Sequence, residues 1–284
     1  MGFLDHIRAC SRWDPARFIP WRVDGARVGL VRRDFARHLC AWPRVFRVEP
    51  EALTWVHPAA GLDERSALLA DVLRELHAQG LIARWHGERY PVFTAERNRP
   101  QLLIDRAWAP LFGVRAFGQH LNGYVRDGAA LKLWVARRAA DRRHYPGRLD
   151  NLVGGGLPWG LGLAENLRKE CQEEAGMPPE LADRAIPVGA VSYCREDDGG
   201  LKPDVMYCYD LELPADFTPI GTDGEVEAFY LLPAEEVLAI VRDTDDFKLN
   251  CNLVITDFLV RHGYLSPETP EYLAILQGLR APLP

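Results

Sequence analysis

The sequence has no apolar run of membrane-spanning length, no Cys-x-x-Cys pair, no internal repeat and no low-complexity segment. Each absence removes a class of protein. A helix needs about 18 to 20 consecutive apolar residues to cross a bilayer, so no membrane partner is expected. The first twenty residues carry Asp5, Arg8, Arg12, Asp14 and Arg17, which excludes a secretory apolar segment there. Basic excess is missing too. A net charge of -6 leaves nothing to neutralise a phosphate backbone, so no nucleic-acid partner is expected. Cys10, Cys40, Cys171, Cys194, Cys208 and Cys251 are scattered without zinc-like pairing to histidine. They are expected to be reduced, mostly buried thiols of a cytoplasmic protein rather than a disulfide or metal framework. Cys251 is the exception to watch.

At 284 residues and 48% hydrophobic composition, the chain is long and apolar enough for two cores. In the first part, residues 27–31 suit a short strand and 34–40 a short helix. An amphipathic helix is expected over 64–79, with Leu68, Leu69, Val72, Leu73 and Leu76 on its apolar side and Gly80 closing it. Residues 81–93 suit a hairpin turning at His86-Gly87-Glu88, and the prolines at 100 and 110 mark residues 97–110 as a joint. The expected division is therefore an accessory α+β domain over 1–110 and a second domain over 111–284. In the latter, Leu131, Leu133 and Val135 alternate with Lys132, Trp134 and Ala136, as in a half-buried strand. Further strands are expected over 186–194, 205–213 and 226–232, and helices over 233–242 and 250–262.

The stretch GGGLPWGLGLAENLRKECQEEAGM, from Gly154 to Met177, carries the chemistry. A glycine-rich turn leads into a helix on which Glu170, Glu173 and Glu174, spaced by three and four, share a face. Ala164, Leu167, Cys171 and Ala175 form an apolar stripe that anchors it, and Gly176 suits a left-handed cap. Carboxylates this close repel one another unless a cation neutralises them, and hard oxygen ligands favour Mg2+ or Mn2+ over zinc. A plain solvated helix face is the ordinary alternative. It does not need Gly154, Gly155, Gly156, Gly160 and Gly162 ahead of it, which leave the backbone free to approach a ligand.

Here the sequence resembles the Nudix hydrolases, whose box runs G, five residues, E, seven residues, R-E-U, one residue, E-E, one residue, G-U, with U aliphatic. Gly155 matches the first glycine, and Glu170, Cys171, Glu173, Glu174, Gly176 and Met177 fall in register with the second half. Leu161 and Lys169 stand where the family has the glutamate and arginine that pair to brace the loop, which reads as a coupled replacement. The runs YPGRLDNLVGGGLPWGL, ENLRKECQEEAG, DGEVEAFYLL and NCNLVITDFLVRHGYLSPE resemble one branch of the family, in which an extra N-terminal domain precedes the hydrolase. Some fungal members are fused to thiamine pyrophosphokinase, and the branch is associated with cleaving damaged thiamine diphosphate to the monophosphate. The resemblance implies an α/β/α sandwich with a mixed sheet. It also implies a metal site of Glu170, Glu173 and Glu174 with the Gly155 carbonyl, and a small-molecule diphosphate as substrate.

Which acid takes the proton from the attacking water stays open among Glu173, Glu174, Glu225 and Glu227, the last two on the DGEVE turn, itself equally readable as an exposed acidic loop. Arg137, Arg138, Arg142 and Arg143 form a basic cluster. Arg137, at a strand end, is the candidate to grip phosphate; the others suit a solvated loop. His120 and Asn122 are candidates to face the substrate, against a structural histidine. Trp159, Tyr193 and Tyr207 are candidates to stack on an aromatic ring, against core packing or, for Trp159, a contact with the N-terminal domain. Competing activities are hydrolysis of a nucleoside diphosphate derivative such as ADP-ribose or a nucleotide sugar, and non-catalytic ligand sensing. The first domain is expected either to cap the cleft or to make homodimer contacts.

Overall fold

The computed structural model describes residues 2–81 and 85–284. In the first part, α1 (Phe3–Cys10) precedes β1 (Phe18–Val23) and β2 (Ala26–Arg32), then α2 (Arg33–His38), β3 (Phe46–Glu49) and β4 (Ala52–Trp55). These four strands form one sheet in the order β2-β1-β4-β3. Helix α3 (Leu62–Ala78) lays Leu69, Val72, Leu73 and Leu76 into the core, with Asp63 and Glu64 in its first turn where the helix dipole favours acids. Gly80, at φ +79°, follows its end as expected.

Part of the hairpin expected over 81–93, residues 82–84, lies outside the described residues, and β5 (Arg89–Val92) pairs with β6 (Leu102–Asp105). The run Leu102-Leu103-Ile104 is buried throughout and packs on α3, so the stretch expected as a joint is folded into the first core. That core continues through Trp108, Phe112 and Val114. Prolines at either end of 97–110 suggested a linker, but apolar burial outweighed that punctuation.

The second part contains β7 (Ala116–Asp127), β8 (Ala130–Arg138), β9 (Leu149–Asp150), β10 (Val153–Gly156), α4 (Leu163–Ala175), α5 (Pro179–Ala182), β11 (Ile186–Asp197), β12 (Gly200–Glu212), β13 (Val226–Pro233), α6 (Ala234–Asp243), α7 (Cys251–Arg261) and α8 (Tyr272–Gly278). The sheet runs β11-β12-β7-β8-β13, with β10 on β7 and β9 on β8. Strands β7 and β12 are parallel and the other pairs antiparallel, so the sheet is mixed. Leu131, Leu133 and Val135 of β8 are buried, as their alternation predicts. Helices α4 and α5 supply the core on one face, while α1, α6, α7 and α8 supply the other, giving the expected α/β/α sandwich. Sequence reading missed α1. Phe3, Leu4, Ile7 and Cys10 bury it against α7, α8 and β11, so the first helix of the chain packs in the core of the second sheet.

Candidate active site

The site grows from the edge of β10, whose glycines pair with Gln119, His120 and Gly118 on β7. A Cβ on Gly155 would stand 2.2 Å from the Glu170 carboxyl carbon, and one on Gly154 would stand 2.9 Å from the His120 ring. Only glycine lets the strand come this close to the acidic helix. Helix α4 starts after Gly162 and ends at Gly176, φ +60°, the left-handed cap expected. Leu167, Cys171 and Ala175 anchor it, while Ala164 is exposed.

The three glutamates occupy different surroundings. Glu174 is buried, and its Oε2 accepts the Gly154 N–H at 2.7 Å. Burial, then the nearby Asp150, pushes its carboxyl well above the ordinary carboxylate range. Glu170 lies against Gly155 with 13% of its side chain exposed, and burial raises it too, against the pull of Lys169. Glu173 is half-exposed, 2.7 Å from Lys169 Nζ, which also lies 3.4 Å from Glu170. Two acids shut away from water beside a backbone edge, with one lysine reaching only the outer pair, fit a divalent cation of the hard, oxygen-seeking kind.

Among the described residues, the His, Cys, Asp and Glu ligand atoms that gather within 4.8 Å of one another belong to His120, Asp150 and Cys251. Protein cations already occupy that place. Asp150 accepts from Arg138 Nη1 at 3.0 Å, Lys248 Nζ at 3.1 Å, Cys251 Sγ at 2.7 Å and its neighbour Asn151 N–H at 2.9 Å. Burial alone would raise its carboxyl, but Lys248, His120 and Arg138 hold it at about 2. Burial and then the Asp150 charge push the Cys251 thiol well up, so it stays protonated. Cys251, the exception to watch, bonds to Asp150, four residues ahead of Gly154.

His120 and Asn122 are both buried on β7 and join a polar chain rather than an open wall. Asn151 Oδ1 can only accept, so His120 Nδ1–H donates to it at 2.9 Å. Burial first, and Lys248 next, lower this imidazole to about 4, so it is neutral at pH 7. Asn151 Nδ2 donates to Asn122 Oδ1 at 2.8 Å, and Asn122 donates on to Asp210 at 3.1 Å. Arg137 is held by Tyr230 Oη at 3.1 Å and the Gly147 carbonyl at 2.9 Å; its neighbour Arg138 is the one that turns to Asp150. Glu225 is paired with Arg142 at 2.6 Å, and Glu227 is exposed on β13. Their loop leans on α4, where Thr222 N–H donates to the Glu173 carbonyl.

Of the aromatic candidates, Tyr193 is buried and donates to Asp204 at 3.0 Å. Tyr207 is partly exposed and stacks on Phe117 at 5.7 Å, which in turn stacks on Phe93 of the first part. The Trp159 N–H donates to the Arg89 carbonyl at 2.7 Å, a contact with the N-terminal region. Sequence reading missed Asp150, Lys248, Tyr90, Arg97 and Arg106. Asp150 sits in the LDNLVGGG run ahead of the glycines, where a polar Asp-Asn pair between two leucines was the available signal. The others come from distant chain segments.

All six cysteines are free, and no helix among the described residues is long and apolar enough to cross a membrane. Residues 2–116 match a family model described as a domain of unknown function (DUF4743), and residues 122–252 match the NUDIX domain. "Nudix hydrolase 20, chloroplastic" of Arabidopsis thaliana is 41% identical over 98% of this chain and 78% of its own length. "Nudix hydrolase 24, chloroplastic" of the same plant is 42% identical over 98% and 78%. An uncharacterized protein of Saccharomyces cerevisiae is 31% identical over 92% and 82%. The cytoplasmic expectation drawn from the cysteines is overturned by the chloroplastic plant relatives, since reduced thiols do not single out one compartment. With relatives matched over nearly the whole chain and the fold in agreement, this chain belongs to the Nudix hydrolases, carrying a DUF4743 domain ahead of the catalytic one.

Proposed function

We propose that the enzyme is a Mg2+- or Mn2+-dependent diphosphatase that cleaves oxidised or otherwise damaged thiamine diphosphate to the monophosphate. The observation that carries the metal reading is the pair Glu170 and Glu174, withdrawn from water beside the Gly154–Gly155 backbone, where the ion pair among the described residues is that of half-exposed Lys169 with Glu170 at 3.4 Å. Glu170, Glu173, Glu174 and the Gly155 carbonyl are the residues that would hold the ion. A bound divalent cation offsets the negative charge of a diphosphate and makes a water more acidic. To help hold an ion, Glu173 would give up its pairing with Lys169, whose ammonium would then be available to a phosphate oxygen.

For the proton, Glu225 is engaged by Arg142 and Glu227 stands out on β13, so we assign acceptance to the helix acids Glu173 and Glu174. His120, neutral and hydrogen-bonded, orients the Gly154 edge rather than moving a proton. The thiamine reading is supported by the resemblance of the branch-specific runs, while the match to plant Nudix hydrolases over both domains supports the hydrolase class. We further propose a division into an N-terminal domain over 1–110 and a hydrolase domain over 111–284, a boundary within a few residues of the gap at 117–121 between the two family matches.

The test is Mg2+-dependent release of inorganic phosphate from intact and oxidised thiamine diphosphate, alongside cleavage of ADP-ribose and nucleotide sugars to monophosphates, whose phosphate is released by phosphatase added afterwards. Preference for the thiamine compounds, with oxidised above intact, is expected. Efficient cleavage of ADP-ribose with none of the thiamine compounds would replace this substrate by a nucleoside one.

A further inference from the structure

The segment from Gly156 to Gly162 joins the glycine strand to the acidic helix, so what holds it sets the Gly155 carbonyl relative to Glu170 and Glu174. Residues 161 and 169 do not brace it. Leu161 is uncharged, and the Lys169 ammonium lies on Glu173 and Glu170. Within the catalytic domain, the Leu157 N–H donates to the Phe117 carbonyl at 2.9 Å and Asn166 Nδ2 donates to the Gly156 carbonyl at 3.0 Å.

The next contacts come from the DUF4743 domain. Arg97 Nη2 donates to the Leu157 carbonyl at 3.2 Å and to the Pro158 carbonyl at 2.7 Å. The Arg89 carbonyl takes the Trp159 N–H at 2.7 Å. Tyr90 and Arg106 close the space beside Gly156, where a Cβ would stand 2.5 Å from the tyrosine oxygen and 3.1 Å from the guanidinium carbon. The Arg97 guanidinium also lies over the Phe117 ring, 5.9 Å from its centre, and its Nε is buried without a partner. A fold that leaves a buried donor unpaired to keep Nη2 on two successive carbonyls is accepting a cost for position.

We propose that the DUF4743 domain supplies the brace of the metal-site loop in place of the missing pair at 161 and 169, with Arg97 as its positioning residue. This rests on the diphosphatase reading of the site. Arg97 holds Leu157 and Pro158, the Arg89 backbone holds Trp159, and together they fix the exit of the glycine strand. Activity therefore depends on how the first domain docks, although that domain contributes none of the proposed metal ligands.

The full chain is compared with Arg97→Ala and Arg97→Lys by steady-state kinetics, Mn2+ binding followed by electron paramagnetic resonance, and amide hydrogen exchange. For Arg97→Ala, kcat and Mn2+ affinity should each fall by about 10- to 100-fold. KM should move little, and amides over residues 157–162 should exchange faster while those of β7 stay protected. Arg97→Lys, which keeps the charge and a single donor atom, should fall between the wild type and Arg97→Ala. Wild-type kcat, Mn2+ affinity and loop exchange in Arg97→Ala would overturn the proposal. So would faster exchange throughout the first domain, with Arg97→Lys no better than Arg97→Ala, because that pattern marks general packing. If the wild type cleaves no diphosphate, the functional reading fails, while the Mn2+ and exchange measurements still judge Arg97.

Discussion

Asp150 and Glu174 feel one another's charge and are comparably withdrawn from water, at 5% and 8% exposure, yet burial has opposite outcomes for them. Around Asp150 the fold provides Lys248, Arg138, a thiol and a backbone N–H, and the carboxyl is held down at about 2. Around Glu174 it provides one backbone N–H and two further acids, Asp150 and Glu170, and burial with the Asp150 charge drives the carboxyl up against the lesser pull of Lys248. Burial costs a carboxylate several kcal/mol unless something repays it. The protein repays it at Asp150 and leaves it outstanding at Glu174. Proximity of ligand atoms is therefore a poor guide to where an ion goes. His120, Asp150 and Cys251 cluster tightly, but a cation there would meet two positive side chains, whereas among the described residues the looser glutamates have one ion-pair partner, Lys169, which reaches Glu170 and Glu173 but not Glu174.

This contrast breaks most readily at Asp150. Asp150→Asn leaves Lys248 and Arg138 without their shared anion, and should cost about 3 to 5 kcal/mol of stability, read as a large fall in Tm. Glu174→Gln should do the reverse: turnover with Mg2+ falls by roughly 10²- to 10³-fold while Tm in metal-free buffer holds or rises. A Glu174→Gln enzyme that unfolds like Asp150→Asn would erase the distinction.

Acid titration sharpens the same point. His120 is lowered from 6.5 to about 4, so its contribution is complete above pH 6.5 and is lost as pH falls to about 4. Asp150 is lowered from 3.8 to about 2, so its contribution, on the order of 2 kcal/mol, is complete above about pH 4 and is lost as pH falls to about 2. Stability measured by urea unfolding should thus fall in two stages on acidification. In Asp150→Asn the lower stage should be missing. The smallest effect belongs to Cys251→Ala, which removes one bond to Asp150 and should cost about 1 to 2 kcal/mol with Mg2+-dependent turnover retained.

The two places also differed in how far the sequence revealed them. The acidic helix was readable because everything it needs is local: spacings of three and four, an apolar stripe, glycines before it and one after it. The α/β/α order was readable for the same reason, from β8's alternation and the helix signals at Pro233 and Asn250. The compensated acid was not. Its partner Lys248 is 98 residues away, and only folding brings the two together. The same holds for Arg97, 60 residues from Leu157, and for α1, whose short apolar pattern does not say which core will receive it. The pairing of β5 with β6 was hidden by prolines that suggested a linker. Arg137 was chosen for its place at a strand end, but alternation along β8 turned Arg138 to the buried acid instead.

Mn2+ binding followed by electron paramagnetic resonance in the wild type, Glu174→Gln and Cys251→Ala tests the central claim most directly. The account predicts that the ion binds the wild type and Cys251→Ala alike and is lost or much weakened in Glu174→Gln. Binding that survives Glu174→Gln and disappears in Cys251→Ala would place the ion at His120, Asp150 and Cys251, and contradict it.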